Sequence, residues 1–129
     1  MNVVDSSAWL EYFAGSQNAE NFAKVIENTD ELIVPTLCLY EVFKRILQQR
    51  SEHEALQAVA AMQQAKVVDI DSRISIEAAR LSVEYRLPLV DSVILAATRQ
   101  YQATLWTQDV HFEGMERVQY TKPMKSKQK

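Results

Sequence analysis

Apolar residues along this chain fall into two kinds of run. Short blocks at Asn2-Val3-Val4, Leu32-Ile33-Val34, Lys66-Val67-Val68-Asp69-Ile70, Thr104-Leu105-Trp106-Thr107 and Val118-Gln119-Tyr120 read as strands. Between them the apolar positions recur at helical spacing. Asp5-Ser6-Ser7 is a cluster of N-cap residues, and it predicts a helix over about 6–14. Phe22, Val25 and Ile26 share one face of a segment over 17–28. Thr36 caps a helix running to about Arg50, in which Leu39, Val42, Phe43, Ile46 and Leu47 form an amphipathic stripe. Ser51 with Glu54 makes a capping box for a helix over about 52–65, and Ile74, Ala78, Leu81 and Tyr85 mark another. Leu87-Pro88-Leu89-Val90 reads as an extended connector, and Asp91-Ser92 opens a helix that is wholly apolar from Val93 to Ala97. A helix apolar all round is buried. Short strands alternating with helices imply an α/β fold with a parallel sheet covered on both faces.

Composition then restricts the chemistry. The chain has 129 residues, enough for one domain with a sizeable core. No repeat, linker or second domain is visible, so residues 1–121 read as the domain and 122–129 as a lysine-rich, disordered tail. Two glycines, Gly15 and Gly114, cannot build a Gly-rich phosphate loop. The single cysteine, Cys38, excludes an internal disulfide or a paired-cysteine zinc site, and it reads as a small buried residue. His53 and His111 are too far apart for HExxH, so any metal must be held by carboxylates, and His111 reads as structural. There is no basic leader and no long apolar run, which implies a cytoplasmic protein with no membrane segment.

Net charge is −3, unevenly divided. Residues 1–64 carry nine acids and four bases, and residues 65–129 carry eight acids and ten bases. The bland reading is a soluble surface. The sharper one is a basic half that holds a phosphate backbone beside an acidic, cation-filled pocket.

Four acids fall where ligands bind in parallel α/β sheets, beyond the carboxyl ends of the strands. Asp5 ends the first strand, Glu41 lies in the helix after the second, Asp91 opens the buried helix, and Asp109 follows the fourth strand. Each has a plain structural role open to it: Asp5 and Asp91 as helix caps, Asp109 in an Asx turn, Glu41 paired with Lys44 or Arg45 on a solvated face. Glu41 lies roughly 170° from the centre of the Leu39–Leu47 stripe at helical periodicity. Together the four would repel each other unless protonated or bound to a hard cation such as Mg²⁺ or Mn²⁺.

The chain resembles the PIN-domain nucleases, and among them the VapC toxins of type II toxin–antitoxin pairs. The segments that carry the resemblance are Val3-Val4-Asp5-Ser6-Ser7-Ala8-Trp9, Tyr40-Glu41-Val42, Leu89 through Thr98 and Leu105 through Phe112, and it spans about residues 2–120. It implies a three-layer α/β sandwich of four to five short strands. It also implies an endoribonuclease that uses one or two Mg²⁺ or Mn²⁺ ions, with Asp5, Glu41, Asp91 and Asp109 as the catalytic, metal-holding acids. Ser7 and Thr107 match its supporting hydroxyl positions. It implies a tRNA or rRNA substrate, a homodimer, and a cognate VapB-type antitoxin with which higher assemblies form. Thr98 stands where the family often has a small apolar residue, and the tail beyond Tyr120 lies outside the common pattern.

Arg73, Arg80, Arg86 and Arg99 are candidate RNA contacts, against the plain reading of solvated charges. Trp9 and Tyr12 could stack on a base, although a tryptophan so placed is more often core. Two rivals remain. A non-catalytic PIN fold would keep the shape and bind RNA or protein. A phosphoacceptor signalling domain would use Asp69 and Lys122, but Asp5 lacks the acidic neighbour such a domain carries.

Overall fold

Five strands, β1 (Asn2–Val4), β2 (Leu32–Pro35), β3 (Lys66–Val68), β4 (Thr104–Thr107) and β5 (Val118–Tyr120), form one sheet in the order β3-β2-β1-β4-β5. All four neighbouring pairs are parallel. The computed structural model describes residues 1–124; of the tail expected over 122–129, residues 125–129 lie outside the described residues. Six helices flank the sheet: α1 (Ser6–Ala14), α2 (Ala19–Glu27), α3 (Thr36–Gln49), α4 (Glu52–Met62), α5 (Ser72–Tyr85) and α6 (Leu89–Gln100). They pack as the sequential pairs α1/α2, α3/α4 and α5/α6. This is the α/β sandwich that the alternating pattern predicted, with five strands.

The strands are short because both faces are covered. β1 and β2 carry Val3, Val4, Leu32, Ile33 and Val34 into the core with no polar alternation. From Ser92 to Thr98 every residue of α6 is buried, which makes it the helix the core is built around. Thr98 stays compatible with that position because its hydroxyl donates to the Ile94 carbonyl at 2.8 Å.

Several boundaries differ from expectation for local reasons. α6 starts at Leu89, so Leu89 and Val90 are helical and not connector. Pro88 takes the N-cap position with extended backbone, and Asp91 sits inside the first turn without capping. Likewise Pro35, not Thr36, precedes α3, and Thr36 is its first residue. The Ser51 cap does form, accepting from the Glu54 N–H at 3.1 Å. β3 stops at Val68 and α4 at Met62, each short of the expected end.

α3 is rotated from the predicted stripe. Its buried face is Cys38, Val42 and Ile46, while Leu47 and Tyr40 are exposed. Leu39, Tyr40, Phe43 and Leu47 instead line a surface trough of about 480 Å³ with Val59 of α4. Glu41 therefore flanks the buried face, roughly 100° from its centre at helical periodicity, rather than opposing it.

The strand order fixes where a ligand can bind. The chain goes from β1 outward through β2 and β3, then crosses to β4 and β5 on the other side. The order reverses between β1 and β4, and in parallel α/β sheets ligands bind at such a switch point, beyond the carboxyl ends of the strands.

Candidate active site

Asp5 and Asp109 stand on the two sides of that switch point, Asp5 directly after β1 and Asp109 two residues after β4. The β1–β4 ladder carries on to the site itself, because the Asp5 N–H donates to the Trp106 carbonyl at 3.1 Å. Asp5 is 2% exposed. One carboxylate oxygen, Oδ1, accepts from the Ser7 hydroxyl at 2.9 Å and from the Ala8 N–H at 3.0 Å. The other, Oδ2, accepts from the Thr107 hydroxyl at 2.6 Å. Asp5 thus does cap α1, and its second oxygen is held by Thr107 of β4. Thr107 has two duties: its Oγ1 also accepts from the Asp109 N–H at 2.8 Å, which ties the two acids across the switch point.

Asp91 reaches the same edge from the first turn of α6. Its Oδ2 lies 2.9 Å from His111 Nδ1, and Asp109 Oδ1 lies 3.0 Å from the same nitrogen. Asp109 caps the short turn Val110–Phe112, accepting from the His111 N–H at 2.9 Å. His111, read from the sequence as structural, has a half-exposed ring that bridges two of the four acids. The signal was its place two residues after Asp109, but only the approach of α6 brings Asp91 to it.

Glu41 is not among the side chains brought together here. It is half-buried on α3, and no ion pair to Lys44 or Arg45 is formed among the described residues. Beneath it lies Cys38, whose thiol approaches the Val4 carbonyl at 3.8 Å. Burial pushes that thiol up, and the carboxylates of Asp5 and Glu41 push it further, so both charges are felt at one buried sulfur.

The electrostatics are those of crowded, desolvated carboxylates. Burial raises Asp5 to about 6, opposed by the donors Thr107, Ala8 and Ser7 and reinforced by the charge on Asp109. Burial, then the charge of Asp109 and a hydrogen bond with it, raises Asp91 to about 7, opposed by His111. Asp109 is also the main reason the His111 imidazole is raised, against the opposing effect of desolvation. A divalent cation fits this donor set. The ligand atoms of Asp91, Asp109 and His111 lie within 4.8 Å of one another, and acids that repel when ionised are stabilised by a hard cation.

The arginines separate into two groups. Arg73 and Arg80 of α5 and Arg99 of α6 line one open groove of about 560 Å³ with Ile76, Glu77, Ala96 and Gln100. Glu77 lies 3.6 Å from Arg80, which leaves the groove net basic. Arg86 is elsewhere, in the left-handed cap of α5. Trp9 is 1% exposed and stacks on Phe13 at 5.6 Å, so it is a core residue and not a base platform. Tyr12 is half-buried and donates to Glu27 at 3.0 Å.

A parallel sheet with carboxylates at its switch point defines a small α/β domain whose ligand site lies beyond the strand ends. The PIN domain family matches residues 3–118, and the chain belongs to that family. No curated protein matches it in sequence. Solved structures do in fold. A toxin–antitoxin complex from Klebsiella pneumoniae superimposes with a TM-score of 0.78 at 20% identity, covering 92% of this chain and 95% of that one. A VapC20 toxin from Mycobacterium tuberculosis, described as cleaving the sarcin–ricin loop, gives 0.68 at 16% identity, with 81% and 85% covered. A DNA-bound VapBC from Salmonella typhimurium gives 0.71 at 15% identity, with 94% and 96% covered.

Proposed function

We propose that the protein is a divalent-metal-dependent endoribonuclease and the toxin of a toxin–antitoxin pair. The observation that carries the reading is the cluster of Asp91, Asp109 and His111 beside the buried Asp5, which Thr107 links to Asp109, with the Asp5 and Asp91 carboxyls raised by burial. Family membership and the fold shared with toxin–antitoxin proteins support it.

Asp5, Asp91 and Asp109, with Glu41 at the flank, would hold one or two Mg²⁺ or Mn²⁺ ions. When bound, such an ion would supply Lewis acidity toward a water nucleophile and charge to offset the phosphate. The chain's own contribution is preorganisation. Ser7, the Ala8 N–H and Thr107 fix the Asp5 carboxylate so that no reorientation is needed on binding. Thr107 also fixes the backbone of Asp109. Asp91 is carried on the buried helix α6, which gives it a rigid mount. Arg73, Arg80 and Arg99 would hold phosphates of the RNA away from the point of cleavage, and Arg86 is a weaker candidate because it stands alone. Products would carry a 5′-phosphate and a 3′-hydroxyl.

A tRNA or a ribosomal loop is the substrate class we favour. A VapB-type antitoxin would cover the site, and a homodimer would be the unit it binds. The apolar trough along α3 and α4 offers such a protein partner a surface. No helix among the described residues is long and apolar enough to cross a membrane. The test is sequencing of RNA ends after brief expression. Wild type should create discrete new 5′-phosphate ends in one RNA class, and Asp91→Asn should create none. Identical end patterns from both would refute the proposal.

A further inference from the structure

His111 has no evident packing role. Its side chain is 50% exposed, yet its ring is turned onto two carboxylates. We infer that His111 is itself a ligand of the cation, through Nδ1, and that it biases the site toward Mn²⁺ over Mg²⁺. The inference rests on the proposal that this edge binds a metal, but it does not depend on RNA being the substrate.

Spacing is the first argument. In an octahedral site with bonds of about 2.1 Å, adjacent donor atoms stand roughly 3 Å apart, the length of an octahedron's edge. His111 Nδ1 lies 2.9 Å from Asp91 Oδ2 and 3.0 Å from Asp109 Oδ1. All three donors fall within 4.8 Å of one another, so they can occupy one coordination sphere. A neutral imidazole, with its proton on Nε2, offers Nδ1 as the lone pair.

Anchoring is the second. The His111 N–H donates to Asp109 Oδ1 at 2.9 Å, and the next residue, Phe112, is fully buried. The turn that carries His111 is therefore held both by one of the acids and by the core. Chemistry supplies the selectivity. Mg²⁺ prefers an all-oxygen shell and gives up its waters reluctantly, whereas imidazole nitrogen favours first-row transition ions.

A rival account has the opposite sign. If the imidazolium merely fills the site as a surrogate cation, removing it should help any metal to bind. Calorimetric titration of wild type and His111→Ala with Mn²⁺ and with Mg²⁺, in mildly alkaline buffer, separates the two. The expected result is a Mn²⁺-to-Mg²⁺ affinity ratio that falls on the order of tenfold in His111→Ala, chiefly through weaker Mn²⁺ binding. The Mn²⁺ electron paramagnetic resonance spectrum should change with it. Tighter binding of both ions by His111→Ala, or an unchanged ratio, would overturn the inference. If neither ion binds wild type, the metal reading itself fails. The variant should fold, since the side chain it removes is half-exposed and its backbone hydrogen bond stays.

Discussion

Asp5→Asn should stabilise the metal-free protein at neutral pH while abolishing its function. Burial pushes the Asp5 carboxyl up to about 6 in the folded chain, against 3.8 for a free aspartate side chain. A raised carboxyl means the folded state holds its proton more tightly than the unfolded state does. Its contribution to stability is therefore fully retained below about pH 4 and lost as pH rises through about 6. At pH near 7.5 the ionised, buried Asp5 costs the folded state on the order of 3 kcal/mol. Asparagine removes that cost and keeps an oxygen for the Ala8 N–H, a cap of nearly equal quality. It takes away the Thr107 hydroxyl's acceptor, at a loss of about 1 kcal/mol. The net gain is on the order of 2 kcal/mol, a rise in urea midpoint of about 1 M. Urea unfolding of both proteins in EDTA across pH 4 to 7.5 measures it. The variant should match or fall slightly below wild type at the acid end and exceed it at the neutral end. Excess Mg²⁺ should narrow or reverse the difference, since only wild type keeps the full ligand set. An asparagine variant less stable than wild type at neutral pH in EDTA would refute the reasoning.

Three further outcomes follow from named contacts. Thr107→Val should cost about 1–3 kcal/mol in urea unfolding and lower cleavage at least about tenfold, because it orphans both Asp5 Oδ2 and the Asp109 N–H. Unchanged cleavage by Thr107→Val would deny it any positioning role. Arg73→Ala with Arg80→Ala should raise KM with little change in kcat, and should flatten the salt dependence of RNA binding by about one to two in log–log slope; an unaltered slope would show the groove to be a bystander. Asn18→Ala should destabilise by about 1–3 kcal/mol and speed amide exchange around Tyr120–Lys122, because the buried Asn18 amide donates to Gln108 Oε1 and to the Lys122 carbonyl, each at 3.0 Å.

The apolar blocks gave the strands away because a sheet covered on both faces needs unbroken apolar runs. The acids at their ends were legible because loops after parallel strands must emerge at one edge. What failed was finer. The Leu39–Leu47 stripe is a true periodicity, but periodicity does not say which flank of a wide stripe meets the core, and α3 turns Cys38, Val42 and Ile46 inward. That rotation puts Glu41 on the flank of the buried face instead of opposite it. Leu-Pro-Leu-Val looks extended because proline disfavours helix before it, yet proline suits the position just ahead of a helix, and α6 begins at once. The His111 bridge was not legible because its partner Asp91 is twenty positions away, and only the docking of α6 against the β4 loop joins them. The arginine groove is likewise a product of α5 packing on α6.

Cleavage of purified structured RNA tests the central claim most directly. Wild type with Mg²⁺ or Mn²⁺ should cut at discrete positions, leaving 5′-phosphates, and EDTA should stop it. Folded Asp5→Asn and Asp91→Asn should be inactive under the same conditions. Equal cleavage by wild type and both variants, or cleavage that persists in EDTA, would contradict the assignment of these carboxylates to a metal-dependent nuclease site.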